Sequence, residues 1–100
     1  MKKVNREEFY QEIQEGITLV DVYADWCGPC KMIAPIIERI QELNPNIKVI
    51  KVDADSEGAL MQELIIGSIP ALLFYKDNKE IHRTLGFQSQ TIIQRVIDGL

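Results

Sequence analysis

Thr18-Leu19-Val20-Asp21-Val22-Tyr23-Ala24-Asp25-Trp26-Cys27-Gly28-Pro29-Cys30 is the stretch whose reading decides the fold. Its first half, Thr18–Ala24, is β-branched, aromatic and apolar at successive positions, with Asp21 the one exception. A strand that is apolar on both faces is a central strand covered by helices rather than one side of an open sheet. From Cys27 onward the period changes: Ile33, Ile36, Ile37, Ile40 and Leu43 recur at helical spacing. Pro35 falls inside that pattern and is expected to kink the helix, because its ring removes one backbone hydrogen bond. Asn44-Pro45-Asn46 then stops it.

Outward from this strand–helix junction, Lys2–Val4 reads as a very short strand. Asn5, with Glu8 three residues on, reads as a capping box that opens a helix through about Glu15, and Gly16 ends it. Downstream, Ile47–Val52 is a second buried strand. Ser56 is placed to cap a short helix with Leu60 and Leu64 on one face. Ala71–Lys76 and Glu80–Leu85 form a hairpin around Asp77-Asn78-Lys79. Ser89 caps a last helix that turns Ile92 or Ile93, Val96 and Leu100 inward. The order β-α-β-α-β-α-β-β-α implies an α/β fold. Its expected core is a mixed sheet, mostly parallel with a C-terminal antiparallel hairpin, flanked by helices on both faces.

The bulk properties bound the function. One hundred residues are expected to make a single domain, residues 1–100, with enough core to fold without metals or staples. Hydrophobic residues at 46% and charged residues at 26% are ordinary for a soluble globular protein. A net charge of −4 and the lack of a basic run argue against nucleic acid or an anionic membrane as partner. Met1-Lys2-Lys3 could open a signal peptide, but Val4-Asn5-Arg6-Glu7-Glu8-Phe9 is too polar to continue one. No run approaches the ~18 apolar residues of a membrane span. The expected location is therefore cytoplasmic, where thiols are kept reduced.

In that compartment two cysteines spaced as Cys27-Gly28-Pro29-Cys30 point to redox chemistry or metal binding rather than to a structural staple. Zinc takes four ligands, and the chain offers two cysteines and one histidine, His82, in a distant hairpin. The expectation is no metal. Redox chemistry fits the placement. The first turn of a helix presents unpaired N–H groups and the positive end of the helix dipole, worth ~0.3–2 kcal/mol to a nearby anion. Cys27, first in the motif and nearest the exposed end, is the expected nucleophile, and Cys30, one turn inward, the resolving thiol. A pair of inert buried thiols is the bland alternative. His82 reads as an exposed strand histidine.

Together with Val20-Asp21, the run Ala24-Asp25-Trp26-Cys27-Gly28-Pro29-Cys30-Lys31-Met32-Ile33-Ala34-Pro35 resembles the active-site stretch of the thioredoxin family. Lys51-Val52-Asp53-Ala54-Asp55, Ile69-Pro70-Ala71-Leu72 and Leu85-Gly86 resemble its other signature segments, and the likeness spans essentially the whole chain. The resemblance implies the thioredoxin fold and a protein-disulfide reductase with a reversible Cys27-Cys30 disulfide and no bound cofactor. It also implies electrons from NADPH through a thioredoxin reductase, disulfide-containing protein targets, a monomer, and a role in cell redox homeostasis. Carried over by position, Asp21 is the buried proton-transfer carboxylate, raised in pKa by desolvation, and Lys51 is the neighbour that pulls it back. Pro70 is a cis-proline facing the cysteines. Trp26, Ile69, Leu85 and Gly86 form an apolar docking rim beside Gly28 and Pro29, with Ile69's backbone free to pair with a target.

Three departures stand beside that rim: Tyr23 where many members carry Trp, Ala71 where Thr is common, and Gly67-Ser68 in place of a basic-Gly pair. They bear on partner preference. Two other functions remain compatible with the residues. An oxidase or isomerase on the same fold is disfavoured by the Gly-Pro dipeptide, and a non-catalytic binding module of a larger complex would make the thiols incidental.

Overall fold

The computed structural model describes residues 1–100. The elements are β1 (Lys2–Lys3), α1 (Arg6–Glu12), β2 (Ile17–Tyr23), α2 (Gly28–Leu43), β3 (Lys48–Asp53), α3 (Gly58–Glu63), β4 (Ala71–Lys76), β5 (Lys79–Leu85) and α4 (Gln90–Asp98). They match the expected order, and the five strands form one sheet in the order β1-β3-β2-β4-β5.

The local chemistry explains most of the boundaries. Asn5 accepts from the Glu8 N–H while the Glu8 carboxylate accepts from the Asn5 N–H, a closed capping box. The helix stops at Glu12, three residues short of the expected end. Ile13 is buried, and its carbonyl accepts from the Asn78 N–H at 2.8 Å, so the hairpin turn takes the partner that another helical residue would have supplied. α2 continues through Pro35, which lies inside the helix as expected. Proline leaves one carbonyl of the preceding turn without its helical donor, and Pro35 lies on the exposed face of α2. Leu43, expected in the core, is 48% exposed, whereas Ile33, Ile37 and Ile40 are fully buried. In the last helix Ser89 caps as expected, and Ile93 and Ile97 are the buried pair; Ile92 faces outward.

The sheet departs from expectation in one respect: two of its pairings are parallel, β1–β3 and β2–β3, and two are antiparallel, β2–β4 and β4–β5. A parallel return needs a connection long enough to bring the chain back along the sheet. α3 has six residues and so spans only ~9 Å, against roughly 20 Å for a six-residue strand. The chain therefore stays at the end of the sheet where β3 finished, and β4 starts from there, running backward. α3 begins without the expected Ser56 cap; Glu57 stands at that position and no side chain caps it.

The α3 exit is unusual. The Ile66 N–H bonds to the Met61 carbonyl at 2.9 Å and the Ile65 N–H to the Gln62 carbonyl at 3.2 Å. This is a Schellman motif, whose turning residue is usually glycine. Here it is Ile65, at φ 55° and 84% exposed. A β-branched residue in that region costs on the order of 1–3 kcal/mol.

Alternation along the strands splits the core in two. Val20, Val22, Ile50, Val52 and Leu73 meet Phe9 of α1 and Leu60 of α3 on one face. Leu19, Val49, Leu72 and Phe74 meet Ile33, Ile37 and Ile40 of α2 and Ile93 of α4 on the other. Asp21 shares the second face with Leu19, under α2.

Candidate active site

β2 ends at Tyr23, and four residues later Cys27 stands as the N-cap of α2. Its Sγ accepts from the Cys30 N–H at 3.3 Å, an interaction an N-cap serine or aspartate would make through oxygen. Gly28 and Pro29 occupy the first two helical positions, where proline's missing N–H costs nothing. Cys27 and Cys30 are joined as a disulfide with their Cα atoms 5.3 Å apart. The two cysteines are equally enclosed, each 4% exposed, so exposure does not distinguish them as expected. Their surroundings do. Cys30, but not Cys27, lines a cavity of about 210 Å³ together with Asp21, Tyr23, Glu38 and Lys51.

Asp21 lies at the inner end of that cavity, 2% exposed, with Oδ1 lacking any hydrogen-bond partner. Burial pushes its carboxyl up to about 6, and the Lys51 ammonium works in the other direction. Lys51 stands directly opposite Asp21 in the β2–β3 ladder, and its Nζ sits 5.5 Å from the centroid of the Tyr23 ring.

The remaining predicted residues gather at the same end of the sheet. The Ile69-Pro70 peptide bond is cis, and Ile69 packs against the Ala24–Cys27–Cys30 cluster. Neither the N–H nor the carbonyl of Ile69 is hydrogen-bonded within the chain. Gly86, at φ 82°, donates its N–H to the Pro70 carbonyl at 2.8 Å, which sets Leu85 beside the proline. That conformation is one that only glycine adopts freely. Trp26 and Leu85 are 70% and 53% exposed, an apolar surface next to the sulfurs.

Two functional contacts escaped sequence reasoning. The Trp26 indole N–H donates to the Asp55 carboxylate at 2.9 Å, tying the exposed ring to the loop after β3. Tyr23 drew notice only as a departure from the family pattern, whereas its ring is the seat of the Lys51 ammonium. Lateral register between β2 and β3 is the signal that would have found it: Asp21 opposes Lys51 and Tyr23 opposes Asp53.

A redox-active cysteine pair at a helix start, a buried carboxylate behind it and a cis-proline in front define a thiol–disulfide oxidoreductase. Comparison with known proteins agrees. The family model for thioredoxin matches residues 1–99, and the chain belongs to the thioredoxin family. It is 36% identical to the thioredoxin of Chlamydia trachomatis over 94% of this chain and 92% of that protein. It is likewise 36% identical to that of Bacillus subtilis over 96% and 93%. Among solved structures, a mutant thioredoxin from Halobacterium salinarum superposes with a TM-score of 0.93 at 28% identity, over 98% of this chain and 88% of that one. Oxidised mitochondrial thioredoxin 3 from Saccharomyces cerevisiae gives 0.92 at 28%, over 100% and 95%. The chain is a protein-disulfide oxidoreductase with disulfide-bearing proteins as its targets. No helix is long and apolar enough to cross a membrane.

Proposed function

We propose that Cys27 is the nucleophile, Cys30 the resolving thiol, and Asp21 the group that takes the Cys30 proton. The observation that carries this is the shared cavity: Cys30 and the unpartnered Asp21 carboxylate open onto one space, while Cys27 caps the helix outside it. In the reduced protein the Cys27 thiolate attacks one sulfur of a target disulfide. A Cys27–target bond forms and the target's other sulfur leaves as a thiolate. The Cys30 thiol then loses its proton to Asp21, by way of water that the cavity has room for, and its sulfur attacks Cys27. The Cys27–Cys30 disulfide forms, the target's second sulfur leaves, and two electrons have passed to the target. Lys51 counters the desolvation of Asp21.

The unpaired backbone of Ile69 supports a docking role in which an extended target strand bonds beside Pro70. Trp26, Gly28, Pro29, Leu85 and Gly86 complete that surface. The reduced state is regenerated by a thioredoxin reductase drawing on NADPH. Residues 1–100 act as one domain, a cytoplasmic monomer that contributes to cell redox homeostasis and engages neither nucleic acid nor membrane. The test is NADPH oxidation in a coupled assay with a thioredoxin reductase and insulin disulfides. Turnover that vanishes with Cys27→Ser is the expected result; no turnover from folded wild type refutes the reading.

A further inference from the structure

Arg83 on β5 makes four hydrogen bonds at one point of the fold. Its Nη2 donates to the Leu64 carbonyl at 2.8 Å and its Nη1 to the Ile65 carbonyl at 3.0 Å. Its Nε and Nη2 also donate to the Glu80 carboxylate at 2.7 and 2.8 Å, which holds the guanidinium plane in place. The two carbonyls belong to the turn that leaves α3, where Ile65 occupies a left-handed conformation suited to glycine. From that turn the chain runs through Gly67 and Ser68, which make no hydrogen bond, to Ile69 and Pro70 against the cysteines. Three residues further along the chain, just past the end of β5, Gly86 holds the Pro70 carbonyl. β5 and the residue that follows it thus grip both ends of the segment, Arg83 at one and Gly86 at the other.

We propose that Arg83 is a positioning residue for the Ile65–Pro70 segment, holding it in the register that docks a protein disulfide against Cys27. The idea rests on the docking role assigned above to Ile69. Arg83 touches neither the sulfurs nor Asp21, so it acts through the placement of Ile69 alone. A glycine at position 65 would adopt the turn unaided; with isoleucine there, the guanidinium supplies what the residue type does not.

The test compares two substrates: insulin, which must dock along Ile69, and the small aromatic disulfide DTNB, which needs only the Cys27 sulfur. Arg83→Ala is expected to raise the KM for insulin roughly 10-fold, since misplacing a reacting partner by ~1 Å can cost up to ~100-fold. The insulin kcat and the DTNB rate stay within about 2-fold of wild type. Ile65→Gly in the Arg83→Ala background is expected to restore most of the lost KM. Should Arg83→Ala not fold, Arg83→Gln, which keeps one donor, carries the same comparison. An unchanged ratio of insulin to DTNB rates, or a double variant no better than the single one, overturns the proposal. Wild type that exchanges with DTNB yet leaves insulin untouched removes it together with the docking role, while failure with both substrates refutes the dithiol reading itself.

Discussion

Asp21 and Lys51 face each other across the β2–β3 ladder, yet no ion pair closes between them; the ammonium lies over the Tyr23 ring instead. A cation over an aromatic face is held by ~0.5–2 kcal/mol, comparable with what a partly solvated ion pair offers. The ring therefore competes with the carboxylate for the same charge, and the carboxyl stays near 6. Removing the ring should release Lys51 toward Asp21. In Tyr23→Leu the Asp21 carboxyl is expected to titrate at lower pH than in wild type, followed by NMR of the side-chain carbon. A titration that stays put or moves up would show that the ring does not hold the ammonium away.

The raised Asp21 carboxyl has a consequence for stability. In the unfolded chain it ionises near its ordinary value of 3.8, and in the folded protein near 6. Below the lower value both states are protonated and nothing is lost. As pH rises through this window the unfolded state sheds its proton first, so folding stability falls. The loss is complete above the folded value and amounts to about 3 kcal/mol. Urea melts of wild type and Asp21→Asn should diverge between pH 4 and 7, with the variant gaining relative to wild type. Parallel curves would mean that the carboxylate finds a partner when charged.

The unequal roles of the two sulfurs predict an asymmetric trap. Cys30→Ser should accumulate a covalent complex with an oxidised target, because the resolving attack is gone. Cys27→Ser should accumulate little, since Cys30, unlike Cys27, lines the cavity beside Asp21. Intact mass spectrometry under non-reducing conditions reads both, and equal trapping by the two variants would undo the assignment.

Short-range chemistry was legible in the chain. Asn5 with Glu8, Ser89, and the Cys27–Cys30 helix start each declare themselves within four residues, and each stands as read. The Ser56 cap failed locally, and the larger errors arose where more than local periodicity decided the outcome. The Ile13 carbonyl turns from its helix to Asn78, far along the chain, which no local periodicity encodes. β4 runs antiparallel because α3 is only six residues long, and helix length is among the least determinate features of a sequence. Arg83 belongs to no motif that would single it out in the sequence. Only the folded chain reveals that it reaches the end of α3.

The hairpin turn opposite the sulfurs is sewn to the start of β2. The Asp77 carboxylate accepts from the Gly16 N–H, the Asp77 N–H returns a bond to the Gly16 carbonyl, and the Asn78 N–H reaches Ile13. Opening that end means parting a helix exit, a strand entry and a turn together, while the sulfur-bearing end carries the Gly67-Ser68 stretch with no bonds at all. Local breathing is therefore graded along the strands: amide deuteration should be slow near Gly16 and Asn78 and fast toward Ser68. The molecule is thus stiffest at the pole away from the sulfurs and most yielding in the short stretch that leads to Ile69.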